Sequence, residues 1–323
     1  MTRRITSAPF WATATGLGIL VAVAVLITVG SAEPHKWSTD VWAGGFVSGR
    51  NIIRQPPFPI FSTIRVFDIN AHEGGTHFFL LGSDAGGRDL LALIARGALP
   101  SLGLVALVVV VRFSLGVLAG LAMGTGSRLV RTASRAMGRW VIGFPYLALA
   151  IIAIEAFGSS SSRILAFVVG MGLVGWRDIA DLVAERVEHV RSQPFAQAAK
   201  SVGTEGLTFF RLHVIPHLRP ALAVEVPFQA SAVLVLLAEL GYLQLYLGSS
   251  TQLFDVAPSG ASFVSSVLIN QPELGQLLAG ARTYILQRQF EPAVMPALAV
   301  AVMALGFELV GVAMRGRARS RAS

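Results

Sequence analysis

Long apolar runs separated by shorter polar and basic intervals set the plan of this 323-residue chain. After a basic start at Arg3 and Arg4, an uncharged run extends over residues 10–30. It is longer than the 7–15-residue apolar stretch of a secretory signal and reads as an uncleaved first span, with cleavage after the small residues Gly30, Ser31 and Ala32 as the competing view. Further runs near the roughly 20 residues needed to cross a bilayer cover about 99–123, 140–157, 164–182, 218–243 and 292–314. The pattern predicts an all-α membrane protein with six transmembrane helices and both termini on the same side.

The intervals carry their own signals. Residues 31–98 form a polar outer segment with Pro56, Pro57 and Pro59 and a strand-like run at 64–70. At this length a small cap is expected rather than a receptor domain. Residues 89–98 read as an amphipathic lead-in helix lying at the interface. Residues 244–291 are polar and rich in Pro, Gly and Ser, an outer loop with a short helix near 274–284. A basic tail follows at 315–323, after a core at 99–314.

Residues 192–220 form a polar, basic island between two apolar runs. Ser192 can cap a short helix that begins near Gln193, with Pro194 in its first turn. Ala198 and Ala199, with Gln197, Lys200, Ser201 and Thr204 at helical spacing, make a small-residue face that another backbone can approach. Gly203 weakens the helix, and Pro216 and Pro220 are expected to stop any continuation. Two short helices at an angle are predicted, exposed in water and placed to meet a soluble partner.

Composition and charge sharpen this. Hydrophobic residues are 54% of the chain and charged ones 14%. With no Cys, disulfides, thiolate metal sites and cysteine nucleophiles are excluded. On the proposed cytoplasmic side sixteen basic residues stand against five acidic ones, whereas outside nine stand against nine. The positive-inside rule thus accounts for the formal net charge of +8, and nucleic acid is not an expected partner. No G-x-x-x-x-G-K-[ST] occurs, so nucleotide binding by a P-loop belongs to another chain. His213 and His217 have metal-pair spacing, but Pro216 intervenes and no H-E-x-x-H is present, so no metal site is expected. No G-x-S-x-G supports a hydrolase.

Charges within or near the spans are costly and usually face protein or a water-filled path. Arg112, Glu155 and Glu239 are therefore candidates for a translocation pathway or gate, with helix locking as the alternative, and Arg112 is expected to pair with Glu155 or Glu239. Glu225 and Glu308 also fall inside or near the ends of spans, Glu308 toward the inner interface. Gly116, Gly120 and Gly124 allow close helix packing, within the chain or in a dimer. Pro145 is expected to kink the third span, and Trp11, Trp140 and Trp176 to anchor at the interface.

Three motifs carry a family resemblance. Gln197-Ala198-Ala199, then Gly203, then His213-Val214-Ile215-Pro216 resembles the cytoplasmic glutamate-alanine-alanine loop of ABC importer permeases. Leu81-Gly82-Ser83-Asp84 with Gly87-Arg88-Asp89-Leu90 is similar to the segment before the second span of dipeptide and oligopeptide permeases, and Glu239-Leu240-Gly241-Tyr242-Leu243 is a weaker match. Gln197 stands where the family usually has glutamate, and His217 where it often has asparagine. The resemblance implies a non-catalytic permease subunit of a type I ABC importer for peptides or a related small solute, in the plasma or inner membrane with both termini cytoplasmic. It implies a coupling loop at 184–217 in which Gln197, Ala198, Ala199, Lys200, Val202, Gly203, Thr204 and Glu205 meet the ATPase. Its implied partners are a second permease, cytoplasmic ATPases that bind ATP and Mg, an extracytoplasmic binding protein and membrane lipid; this chain itself holds no cofactor. An ion-gradient-driven secondary transporter is the alternative.

Overall fold

The computed structural model describes residues 8–32, 37, 42–46, 53–54, 56–68, 74–125, 132, 145–157, 163–201, 206–247, 250–256, 262–269 and 273–320. These are mostly helical. Among the described residues, four helices are long and apolar enough to span a membrane, over Trp11–Ala32, Leu90–Thr125, Phe210–Tyr242 and Glu291–Ala318, while Tyr146–Ala156 and Ile164–Leu173 are apolar but shorter. The expectation of a purely α chain gives way at two small antiparallel sheets.

The chain divides into two compact units, each taking part of every long helix. One comprises Gly18–Gly103 and Leu234–Leu305. In it, strands β1 (Trp42–Phe46), β2 (Ile53–Arg54), β3 (Ser62–Asp68) and β4 (Gly74–Phe79) form a sheet of order β2-β1-β3-β4, after the first helix α1 (Ala8–Ala32). The strand-like run falls on β3, whose Ile64 and Val66 turn inward to Trp37, Phe58 and Phe79. Period-two alternation explains this, since Thr63 and Arg65 face outward. A second hairpin pairs β5 (Ser250–Val256) with β6 (Ser262–Ile269).

Residues 89–98 are not an interfacial helix. They open α2 (Leu90–Thr125), and Leu90, Ala92, Leu93 and Ala95 are buried. A stretch apolar on nearly every side has no polar face to offer an interface, so it packs inside.

The other unit comprises Met1–Leu17, Leu104–Val233 and Gly306–Ser323. Helix α3 (Tyr146–Phe157) begins immediately after Pro145, whose carbonyl accepts from Leu149 N at 3.2 Å. Pro145 therefore starts this helix rather than kinking it; residues 140–144 lie outside the described residues. The fourth expected span is broken: α4 (Arg163–Leu173) ends before Gly175, which adopts φ 89 at the start of α5 (Trp176–Ser192). Only glycine takes that left-handed backbone without a steric penalty.

The glycines of α2 meet α5 directly. A side chain at Gly116, Gly120 or Gly124 would come within 2.6–2.8 Å of Ile179, Val183 and Val187 respectively. The matched four-residue steps run in the same direction, so the two helices lie parallel and nearly backbone to backbone. The small-residue stripe thus serves packing within the chain. Trp176 is buried beside Met123, Ala180 and Ala184 rather than anchored at an interface, whereas Trp11 is exposed.

Candidate functional site

The coupling stretch begins where α5 ends. Gln193 is extended, with φ −71 and ψ 147, and Pro194 opens α6 (Pro194–Ser201). The Gln193 carbonyl accepts from Ala196 N at 3.0 Å. Ser192 is not the cap expected of it, because its hydroxyl donates back to His189 O at 2.8 Å. Proline at the first helical position needs no N–H there, so Gln193 and Pro194 suffice to restart the helix.

One face of α6 is anchored and the other is exposed. Ala196 is buried and Ala199 half-buried against a cluster of Ile179, Val183, Val187, Val190, Phe209, Val214 and Leu218. Gln197 and Ala198 point the other way and are exposed. The Lys200 side chain and Val202, Gly203, Thr204 and Glu205 lie outside the described residues.

Downstream, the expected second short helix does not end. Helix α7 (Gly206–Phe209) runs through a π turn at Phe210–Val214 into α8 (Ile215–Tyr242), which contains Pro216, Pro220 and Pro227. Ile215 N donates to Phe210 O, the wider spacing of a π turn, immediately before the first of these prolines. A widened turn accommodates a residue that cannot donate and whose ring crowds the preceding turn. Phe195 of α6 lies 5.8 Å, ring to ring, from both His213 and His217. The His217 Nδ1–H donates to the His213 carbonyl at 2.7 Å, which orients that ring along its own helix.

Arg112 is 3% exposed within α2. Its Nε donates to Met171 O and its Nη1 to Gln229 Oε1, each at 3.0 Å. Glu155 and Glu239, the partners expected from sequence, are exposed instead. Met171 O belongs to the last turn of α4, where carbonyls lack helical donors, so Arg112 caps that end. Gly175 leaves room for the guanidinium: a Cβ there would lie 2.9 Å from Arg112 Cζ. Gln229 was legible only as one polar residue in an apolar run, and nothing in its spacing pointed to Arg112.

A second buried polar group was visible in sequence only as a motif. Asp84 Oδ2 accepts from Arg88 Nε at 2.8 Å and Nη2 at 2.6 Å, while Oδ1 accepts from the Gly86 and Arg88 backbone at 2.9 Å each. Asp89 Oδ1 caps α2 by accepting from Leu91 N at 2.7 Å, and its Oδ2 meets His77 Nε2 of β4 at 2.6 Å. Trp37 stacks on His77 with centroids 4.0 Å apart. Gly82 and Gly87, with φ 81 and 74, supply the tight turn that brings these groups together. Tyr284, on the helix Ala281–Leu286, is buried close by and hydrogen-bonds the Ala85 backbone; burial raises its phenol, which stays protonated. The knot joins sheet, turn and span, with every carboxylate oxygen satisfied. Gly241 of the third motif abuts the Gly275 backbone, a contact that any side chain would block.

No family model matches the chain. It is 26% identical over 243 residues to a di/tripeptide transport system permease protein of Pseudomonas aeruginosa, covering 75% of this chain and 72% of that one. It is 28% identical over 209 residues to a peptide transport system permease protein of Escherichia coli, covering 59% and 69%. A nickel transport system permease protein of Escherichia coli is 23% identical, covering 73% and 76%. Among solved structures, an amino acid ABC transporter with histidines aligns at TM-score 0.47 and 16% identity over 70% of this chain and 94% of that one.

Proposed function

We infer that this chain is the membrane-spanning permease subunit of a binding-protein-dependent ABC importer for peptides or a related small solute. The observation that carries this is the relatives' shared description: transport permeases with different cargoes, aligned along more than half to three quarters of the chain. Four helices able to cross a membrane agree with it. The two shorter apolar helices, Tyr146–Ala156 and Ile164–Leu173, complete a six-span core in this reading. The excess of basic residues puts both termini and the α5–α6 turn in the cytoplasm.

The subunit performs no covalent chemistry. ATP and Mg bind the separate ATPases, a second permease completes the pathway, and a binding protein delivers solute from outside. The ATPase docks on residues 193–208, with Gln197 and Ala198 as the exposed contact and Ala199, Lys200, Val202, Gly203, Thr204 and Glu205 continuing it. An amide at Gln197 can hydrogen-bond where a carboxylate would form an ion pair. Closure of the ATPases moves this stretch, and the spans follow as rigid bodies between inward-open and outward-open states. Glu155 and Glu239 border the pathway, and Arg112 acts on its gate by holding helices in place.

The test is affinity purification of the tagged chain in mild detergent, with identification of co-purifying proteins and an ATPase assay. Recovery of a P-loop ATPase and a second permease is expected. A chain that purifies alone and moves solute under an ion gradient would overturn the assignment.

A further inference from the structure

Gln229 lies on α8 one helical turn beyond Glu225, and both belong to a polar line that joins three helices. Its side chain is 5% exposed. With Oε1 committed to Arg112 Nη1 at 3.0 Å, only its amide hydrogens remain to donate, and the bond it makes with Glu225 uses one of them. Glu225 Oε2 in turn lies 3.8 Å from Arg315 Nη2, on the final helix Glu291–Ser320. The Arg315 guanidinium rests 4.3 Å from the centroid of Phe228, beside Gln229 on α8. Arg112, Gln229, Glu225 and Arg315 therefore alternate cation, amide, anion and cation, linking α2, α8 and the final helix. Through Met171 O the line also reaches the end of α4.

Helix α8 is also the helix that grows out of the coupling stretch. No chain break separates Gly206 from Gln229, because the π turn carries the backbone past Pro216. A displacement applied at residues 206–214 therefore reaches Gln229 along one rod. There the rod is tied to Arg112, a buried charge that cannot give up its acceptor cheaply.

We propose that Gln229 is a positioning residue that makes α8 and the Arg112 segment of α2 move as one body when the ATPases close. This rests on the importer reading above. Any rotation of α8 carries Arg112, the Met171 end of α4 and the break at Gly175 with it. A residue without a polar side chain at 229 would leave α8 free to turn alone.

The absence of Cys allows a direct test on the assembled transporter. Val110→Cys and Val226→Cys, at exposed positions on α2 and α8, carry nitroxide labels whose separation is measured without nucleotide and with ATP and Mg after vanadate trapping. With Gln229 present, the separation is expected to stay the same in both states. In Gln229→Met, which keeps length and loses both bonds, it is expected to shift by about 2 Å or more, the scale of helix displacements in switching proteins. Gln229→Glu keeps an acceptor for Arg112 and should restore the fixed separation. Labels that already separate with Gln229 in place, or a Gln229→Met chain that behaves like the parent, would overturn the proposal. Failure of Gln229→Met to assemble would make the amide a folding determinant and overturn it equally. A parent chain that recruits no ATPase would instead sink the importer reading.

Discussion

Arg88 is 2% exposed, with Asp84 wrapped around its guanidinium by side-chain and backbone bonds. Removing one member of such a buried pair costs far more than removing both, because the survivor is left as an uncompensated charge. Asp84→Ala is therefore expected to destabilise the chain by about 3–5 kcal/mol. The double change Asp84→Leu with Arg88→Met should cost clearly less, as measured by unfolding of the detergent-solubilised chain. Asp89 does a different job with its two oxygens, capping α2 and holding His77. Asp89→Ala is expected to cost about 1–2 kcal/mol for the cap alone and to loosen β4 as well. Hydrogen exchange at the start of α2 and along β4 would register both effects. The charged residues and the glycines of this motif were plain in the sequence. Their roles were not, because His77 and Trp37 reach the knot from segments that no periodicity ties to it.

Pairs of helices show which small residues are structural. Val at position 120 would place its Cβ 2.6 Å from Ala180 O and from Val183 Cβ, so α2 would have to part from α5. Gly120→Val is expected to lower stability by about 1–3 kcal/mol, the usual cost of overpacking, and to reduce the yield of folded chain in detergent. Gly18, by contrast, has open space around it, and Gly18→Ala should be tolerated in the same assay. Helix α6 divides its own residues the same way. Ala196 is locked into the cluster beneath, so a large residue there is a folding lesion, whereas Ala198 is exposed. Ala198→Trp is expected to leave unfolding unchanged and to cut ATPase co-purification about tenfold or more, the effect of losing roughly 1.4 kcal/mol of contact. Normal ATPase recovery with that variant would move the docking surface elsewhere.

For the whole molecule, the topology rests on charge and can be read with single cysteines, since the chain has none of its own. Phe61→Cys, at an exposed position beside β3, is expected to react with a membrane-impermeant thiol reagent on intact cells. Ala198→Cys should react only after the membrane is opened, and the reverse pattern would invert the orientation. What the sequence determined by itself is the membrane character, the place of the long apolar helices, a strand within 64–70, the short helix near 274–284 and the location of the α5–α6 turn. Each follows from local composition, periodicity or a proline and glycine signal within a few residues. Only the tertiary structure decided that 89–98 is buried, that the helix continues through Pro216, and that the fourth run breaks at Gly175. It alone decided that Arg112 chooses Met171 O and Gln229 over either glutamate. Those outcomes depend on which distant groups arrive to satisfy a carbonyl, a missing N–H or a buried charge, and no pattern along a single segment records that.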